Sequence, residues 1–177
     1  MESKTKNRKS RAQLAAMVER AFNGARLAAG EDAVSELKEG WFNAAYNVRL
    51  ADGREVIVKI APPKGAEVLS YEKGIMGVEV ASMRKARENP AIPVPEIYYY
   101  DTALDLCDSE YFFMEKLTGE NYHHVKNSLP PEMVAQIDRQ IGAIVREINS
   151  FKGTYFGLEG NSDLRAPTWK EAFLKLC

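Results

Sequence analysis

Two short β-type segments joined by a tight turn constrain this chain more than any other feature. Residues 45–50 alternate apolar and polar side chains, and residues 55–60 (Glu-Val-Ile-Val-Lys-Ile) are rich in β-branched types. Between them, Asp52-Gly53 is the commonest short hairpin signal. Pro62-Pro63 stops the second segment. The pattern therefore predicts an antiparallel hairpin over residues 45–60.

The rest of the chain predicts a mixture of strands and helices around this hairpin. An amphipathic helix is expected from Gln13 to Gly30, and a second, weakened by Gly74 and Gly77, over residues 66–88 with its secure part from Val78. Further strands are expected at 34–38, 97–100 and 111–114. A long helix should follow Pro130-Pro131, and another should start near Thr168.

Composition narrows the class of protein. The chain has 177 residues, 45% hydrophobic and 28% charged, which suits one domain or two small lobes with a buried core. A net charge of −1 argues against nucleic-acid and membrane-surface partners. Cys107 and Cys177 form no metal or disulfide motif, and the N-terminus lacks an apolar signal segment, so a cytoplasmic location is expected. Basic residues in 1–11 predict a solvated, flexible tail.

Two charged residues stand where charge is costly. Lys59 lies inside an apolar strand, on the face of Ile57, and Glu79 lies on the apolar face of the helix that follows. A half-buried charge needs a partner or a charged ligand. The simplest solution is a Lys59–Glu79 pair, with Glu72 as the rival anchor. The alternative is that Lys59 snorkels at a sheet edge and Glu79 sits at a helix rim.

The order of these elements is that of the small lobe of a protein-kinase-like fold. The chain begins with a strand, a glycine-containing loop and a second strand that a hairpin joins to a third strand with an inward Lys. A helix with an inward Glu follows, and then two strands and a hinge. In that fold the Lys holds the α- and β-phosphates of a nucleotide and the Glu positions the Lys.

Several stretches resemble one family in particular. They are residues 40–48 (Gly-Trp-Phe-Asn-Ala-Ala-Tyr-Asn-Val), 56–60, 79–80, 92–95, 112–119, and the helix 134–150 followed by Phe156-Gly157. In order and spacing they resemble the aminoglycoside phosphotransferases and their choline-kinase-like relatives, over residues 12–177. The resemblance implies an α+β fold, with a five-stranded antiparallel sheet plus helix at 12–117. The hinge and the incomplete start of a helical large lobe would lie at 118–177.

The family implies a role for each matching position. The loop with Gly40 and Asn43 would position the nucleotide, Lys59 would contact the phosphates and Glu79 would anchor Lys59. Ile57 would lie against adenine and Met114 at the back of its pocket. The backbone C=O of Glu115 and N–H of Leu117 would read the adenine edge. The cofactors would be ATP or GTP with Mg²⁺, and the reaction would phosphorylate a hydroxyl group of a small molecule, such as an aminoglycoside-type antibiotic.

The family's catalytic segment, His-Gly-Asp followed by Asn and a further Asp, has no counterpart in the sequence. His123 and His124 are expected to be surface residues in a loop. We therefore expect a nucleotide-binding portion of a longer enzyme, inactive by itself, with the magnesium ligands outside this chain. The helices at its end should leave apolar surface bare and favour self-association. The alternatives are a non-catalytic nucleotide- or protein-binding module and a generic α+β domain without a nucleotide site.

Overall fold

A computed structural model describes residues 5–40 and 42–177. Within these ranges the chain forms one five-stranded antiparallel sheet in the order β1-β2-β3-β5-β4. The strands are β1 Val34–Glu36, β2 Ala44–Arg49, β3 Glu55–Ile60, β4 Ile97–Asp101 and β5 Tyr111–Glu115. The predicted α+β class with an antiparallel five-stranded sheet is confirmed.

Five α-helices accompany the sheet in the described part of the chain. They are α1 Arg11–Ala21, α2 Ile75–Ala86, α3 Tyr122–Val125, α4 Pro131–Ile148 and α5 Trp169–Leu176. Helix α4 starts with Pro131 at a position where its missing N–H costs nothing. Helix α5 is capped by the Thr168 hydroxyl, which accepts from the Glu171 N–H. His123 and His124 lie in the short α3 rather than in a loop, and both are exposed, as expected.

The central hairpin sets the register of the sheet. Ala45 lies opposite Lys59, and Asn47 lies opposite Ile57. The turn is closed by the Leu50 N–H, which donates to the Arg54 carbonyl at 2.8 Å. Gly53 has a φ of 89°, in the left-handed region where a side chain is disfavoured. The glycine of the Asp-Gly pair therefore supplies the backbone conformation that this tight turn requires.

The two faces of the sheet have different tasks. Alternate residues Val56, Val58 and Ile60 of β3 point into the main core, where they pack with Leu14 and Met17 of α1. On the opposite face, Phe112 of β5 packs with Met76 and Val80 of α2 in a second, smaller core. The face that carries Lys59 is therefore the face that α2 covers in part.

The N-terminal segment is packed rather than solvated over its described part. Asn7 is buried, and its side-chain amide donates to Asp108 at 2.8 Å and to Ser109 at 2.7 Å. Lys9 pairs with Asp108, and its N–H donates to the Tyr46 hydroxyl. Polar groups of residues 5–11 thus have partners in the β4–β5 turn and on the sheet. Residues 1–4 lie outside the described residues, and the flexible tail over 1–11 stays a prediction.

Both early helices are shorter than predicted. Helix α1 ends at Ala21 instead of near Gly30, because Asn23 has a left-handed φ of 53° that a helix cannot continue through. Helix α2 begins only at Ile75, after Gly74 with a φ of 67°. Residues 61–74 before it are irregular apart from a single helical turn at Ser70–Glu72.

The C-terminal helices touch the rest of the molecule through few points. Glu147 of α4 accepts a hydrogen bond from Asn89, and the ammonium of Lys85 lies 5.5 Å from the centre of the Phe151 ring. Gly160 lies against α2 so closely that a Cβ there would meet Ala81 at 2.7 Å and the Gly77 carbonyl at 3.0 Å. A Cβ at Gly77 would instead meet the Tyr100 hydroxyl at 3.3 Å, so this glycine leaves room for Tyr100 beneath α2, although it lowers helix propensity. The predicted boundary between lobes near residue 118 stays a prediction.

Candidate functional site

The candidate site lies on the sheet face opposite α1, at the edge of α2. Helix α2 covers the β4–β5 part of this face, where Phe112 and Tyr100 pack beneath it. The neighbouring β1–β3 part carries Ala45, Asn47 and Ile57 in adjacent register positions. Lys59 stands at the border between the two parts.

Lys59 and Glu79 form the central pair of the site. The Lys59 ammonium donates to a Glu79 carboxylate oxygen at 2.5 Å, and both side chains are 29% exposed. The ammonium also lies 5.8 Å from the centre of the Phe112 ring. Because β3 is flanked by β2 and β5, Lys59 is on a central strand, and the alternative of a lysine snorkelling at a sheet edge is wrong.

The rival anchor is resolved by the position of Glu72. Its carboxylate accepts the Leu69 N–H at 2.8 Å and caps the short turn that precedes α2. Glu79 is the carboxylate that reaches Lys59. Helix α2 begins at Ile75, so Glu72 is not part of it, and the argument from a shared helix face fails for that residue.

The loop between β1 and β2 brings Gly40 and Asn43 to the same end of the sheet as Lys59, because Ala44 and Ala45 follow Asn43 directly and Ala45 pairs with Lys59. The Asn43 side-chain oxygen is buried and has no hydrogen-bond donor among the described residues. A buried acceptor left unpaired costs about 1–3 kcal/mol, so a ligand or loop donor at this point would be stabilising. Trp41, between them in the predicted loop, lies outside the described residues.

The other end of the site is the segment that follows β5. Met114 pairs with Ile57, so both lie on the site face, and Ile57 is buried. The Glu115 N–H donates to the Glu96 carbonyl at 2.8 Å. Leu117 is exposed, and its backbone N–H has no acceptor in the part of the chain that the structure describes. An N–H in this state is free to donate to a ligand.

A salt bridge ties this segment to the sheet. The Lys116 ammonium lies 2.8 Å from Glu55 at the start of β3. Its hydrogen bond lowers the pKa of the Glu55 carboxyl, which keeps that carboxyl charged at neutral pH. The bridge is an exposed contact between the residue just before Leu117 and the start of β3.

Sequence reasoning missed Leu37 and Ala45. Leu37 extends β1, where its N–H donates to the Ala45 carbonyl at 2.8 Å, and its side chain is 39% exposed. Ala45 is buried directly opposite Lys59. The hairpin register could have found Ala45, since the Asp52-Gly53 turn fixes which residue faces Lys59. Leu37 lies within the strand predicted over 34–38, but spacing alone does not say which face of the sheet carries the site.

No group of three or more His, Cys, Asp or Glu side chains within residues 5–40 and 42–177 could hold a metal ion. The described residues of the site bring together an ammonium held by a carboxylate, a loop with an unpaired buried acceptor, an apolar floor that includes Ile57, and an N–H without an acceptor at the far end.

One family model matches the part of the chain that builds this site. The sequence model of the phosphotransferase enzyme family matches residues 33–174. The chain belongs to this family. The match begins just before β1 and extends into α5, so it covers the sheet, α2 and most of the C-terminal helices.

The chain is also similar to two fungal proteins. These are the subtelomeric hrmA-associated cluster proteins of the Aspergillus fumigatus strains CEA10 and Af293, each 32% identical over 125 residues. The aligned part is 70% of this chain and 24% of each relative, so the chain spans about a quarter of their length. Among the described residues, no helix is both long and apolar enough to cross a membrane.

Proposed function

We propose that this member of the phosphotransferase family is the nucleotide-binding part of an enzyme that transfers a phosphoryl group from ATP or GTP to a hydroxyl group of a small molecule, of the aminoglycoside type or similar. The observation that carries the proposal is the Lys59–Glu79 pair. It lies between the Asn43 loop and an apolar surface that includes Ile57.

Each residue has a distinct task in this proposal. Lys59 places its charge against the α- and β-phosphate oxygens, and Glu79 holds the ammonium extended on the site face. The backbone of the loop with Gly40 and Asn43 covers the phosphates. Ile57 and Met114 contact the base.

The base would also be read by backbone groups, the Leu117 N–H and the Glu115 carbonyl. These contacts constrain geometry rather than side chain, so they accept any residue but proline at 117. Leu37 and Ala45, in adjacent register positions, would complete the apolar surface over the base.

The acceptor and the catalytic carboxylates are assigned to a part of the enzyme other than residues 5–40 and 42–177. Mg²⁺, when bound there with the nucleotide, would neutralise charge on the phosphates. By itself this chain is proposed to bind nucleotide in the cytoplasm and to turn over none. Its relatives are about four times as long as the aligned region, which leaves room for such a part.

The test is calorimetric titration of the 177-residue chain with Mg·ATP and Mg·GTP. Lys59→Ala should weaken nucleotide affinity by about 10- to 100-fold, because one charge-assisted contact is lost. Lys152→Ala is the matched control: Lys152 is exposed, and no ion pair is recorded for it in the described part of the chain. It should bind as the unsubstituted chain does.

A second variant separates loss of binding from loss of fold. Leu117→Pro removes the backbone donor at an exposed position and should weaken binding of adenine nucleotides while leaving the melting temperature unchanged. Equal nucleotide affinity of Lys59→Ala and the unsubstituted chain would overturn the proposal.

We further propose that the chain associates with itself through α4 and α5. Met133, Ile141, Val145 and Ile148 of α4 are large, apolar and exposed, and so are Trp169 and Phe173 of α5. Apolar patches of this kind favour a partner. Light scattering at tens of micromolar should give more than the monomer mass, and Ile141→Glu with Val145→Glu should return it to the monomer. A monomer at the same concentration without these substitutions would sink the idea.

A further inference from the structure

A second cavity lies outside the site described above. It has a volume of about 440 Å³ and lies between the irregular segment before α2 and the turn that joins β4 to β5. Neither Lys59 nor Ile57 nor any residue of the segment after β5 lines it. Its size falls within the range of pockets that hold small organic molecules, about 300–1,000 Å³.

Apolar side chains form most of the cavity wall. They come from the end of β3 and the residues after it, from the first turn of α2 and from the β4–β5 turn; examples are Pro62, Ala66, Ile75 and Leu104. Met76, on the same wall, is fully buried. A wall of this kind favours a ligand with an apolar body, because burying that body removes apolar surface from water.

The charged groups at the rim differ in how they are engaged. All three carboxylates have partners: Glu72 accepts from the Leu69 N–H, Asp108 from Asn7 and Lys9, and Glu110 from the Tyr100 hydroxyl. The two ammonium groups, Lys64 and Lys73, are exposed and have no recorded ion pair among the described residues. Hydrogen bonds from neutral donors do not cancel the charges of Glu72 and Glu110, so the rim is close to neutral overall. Lys64 and Lys73 are the charged groups at the rim that keep their N–H donors for a ligand, and such donors suit an anionic group.

We propose that this cavity binds a small amphipathic anion, with one apolar ring system seated between Pro62, Ile75 and Leu104 and one anionic group directed to Lys64 and Lys73. The site is separate from the proposed nucleotide site and does not depend on it.

Two contacts give the cavity a link to the Lys59–Glu79 pair. Phe42, from the loop between β1 and β2, lines the cavity on one side. Met76, on the other side, is three residues before Glu79 on the same helix. An occupant would hold the loop and the first turn of α2 against each other.

The test is a fluorescence titration of the 177-residue chain with 1-anilinonaphthalene-8-sulfonate, and with N-phenyl-1-naphthylamine as the neutral probe of the same shape. Lys64→Glu with Lys73→Glu should weaken sulfonate binding by about tenfold and leave the neutral probe unaffected, because only the first carries charge. Lys170→Glu, an exposed lysine away from the cavity, is the charge control.

A filling variant tests the location. Ala66→Trp places an indole in the cavity and should reduce binding of both probes by about tenfold or more. Ala91→Trp, at an exposed position elsewhere, should leave both unchanged. If the melting temperature shows that Ala66→Trp has lost its fold, Ile75→Trp is used as the filling variant instead. If the filling variants bind both probes as before while Ile141→Glu on α4 removes the signal, the probes bind the exposed helix face and the proposal is wrong.

Discussion

The sheet and the C-terminal helices show how differently two parts of one chain are stabilised. Almost every buried side chain belongs to residues 5–117, including Phe112, Phe113 and Tyr111 of one strand. Among residues 118–177 only Ala166 and Ala172 are buried. Since burial of apolar surface is the main favourable contribution to folding, the free energy of unfolding resides in the sheet and its two helices.

The two parts differ in whether their apolar side chains are covered by other elements, and not in whether their sequences have an apolar side. Helix α4 has a clear apolar side and 18 residues, which is enough to form a helix with local support. Its apolar side nevertheless remains exposed, as Ile141 and Val145 show. A helix of this kind keeps its shape in the structure while contributing little to the stability of the whole.

The largest expected effect on the free energy of unfolding comes from removing an aromatic ring from the core. Phe113→Ala, at a fully buried position of β5, should lower the free energy of unfolding by about 3–5 kcal/mol in urea titration. Ile141→Ala on α4 is the comparison and should change it by about 0.5 kcal/mol or less. Equal effects of the two substitutions would mean that the two parts share one core.

The next test concerns a buried carboxylate. Asp101 accepts the hydroxyls of Tyr99 and Tyr111 at 3.0 and 2.9 Å and the Ala103 N–H at 2.8 Å. Asp101→Asn should cost about 2–3 kcal/mol of unfolding free energy, because an amide replaces a buried acceptor of charge-assisted hydrogen bonds. Asp138→Asn on α4, an exposed acceptor from Tyr122 and Lys126, should cost at most about 1 kcal/mol.

A third test acts where the two parts meet. Gly160→Ala forces a side chain into a φ of 76° and against α2, at a cost of about 1–2 kcal/mol. We expect faster hydrogen exchange in residues 155–165 with the urea midpoint of the sheet unchanged. Gly153→Ala, where a Cβ meets nothing closer than 3.6 Å, is the control. A lower urea midpoint for the whole chain would contradict the separation of the two parts.

The smallest expected effect is a pH dependence that comes mainly from carboxylates on the sheet side. Burial raises the pKa of Asp101, but the hydrogen bonds that Asp101 accepts lower it by more, so the net pKa lies below its ordinary value. The Arg20 guanidinium lowers the pKa of Asp105 to about 2. A group whose pKa is depressed on folding stabilises the fold above its unfolded value, about 3.9 for Asp, and loses this as pH falls through the folded value.

The urea midpoint should therefore decrease between about pH 4 and about pH 2. Arg20→Met removes the cation that both carboxylates face and should flatten this decrease. The pKa of Asp138 on α4 is also lowered, by hydrogen bonds from Tyr122 and Lys126, so Asp138→Asn should flatten the decrease too, but by less, because Asp138 is exposed to solvent. An effect of Asp138→Asn as large as that of Arg20→Met would contradict the contrast between sheet and helices.

Much of the sheet could be predicted from local pattern. Strand β3 was predicted with both its ends because a β-branched run is bounded by a turn glycine and by two prolines. The Lys59–Glu79 pair followed from a charge that period-2 and period-3.6 spacing place on apolar faces. Predictions of this kind succeed where one residue's environment is fixed by its own neighbours in sequence.

The rest depended on contacts that spacing does not encode. The N-terminal segment looked like a solvated tail because its partners, Asp108 and Ser109, are about a hundred residues away. The end of α1 was misplaced because Asn23 adopts a left-handed backbone that few residues other than glycine favour. The cavity beside α2 was missed because it is formed by three separate loops.

The alternation along β3 also has a practical consequence for engineering. Positions 56, 58 and 60 hold the fold together, while positions 57 and 59 of the same strand face the proposed ligand. A combinatorial library restricted to 45, 47 and 57 would therefore sample new ligand preferences without drawing on the hydrophobic centre. Selection for altered recognition and selection for folding can be run on β2 and β3 as two separate screens.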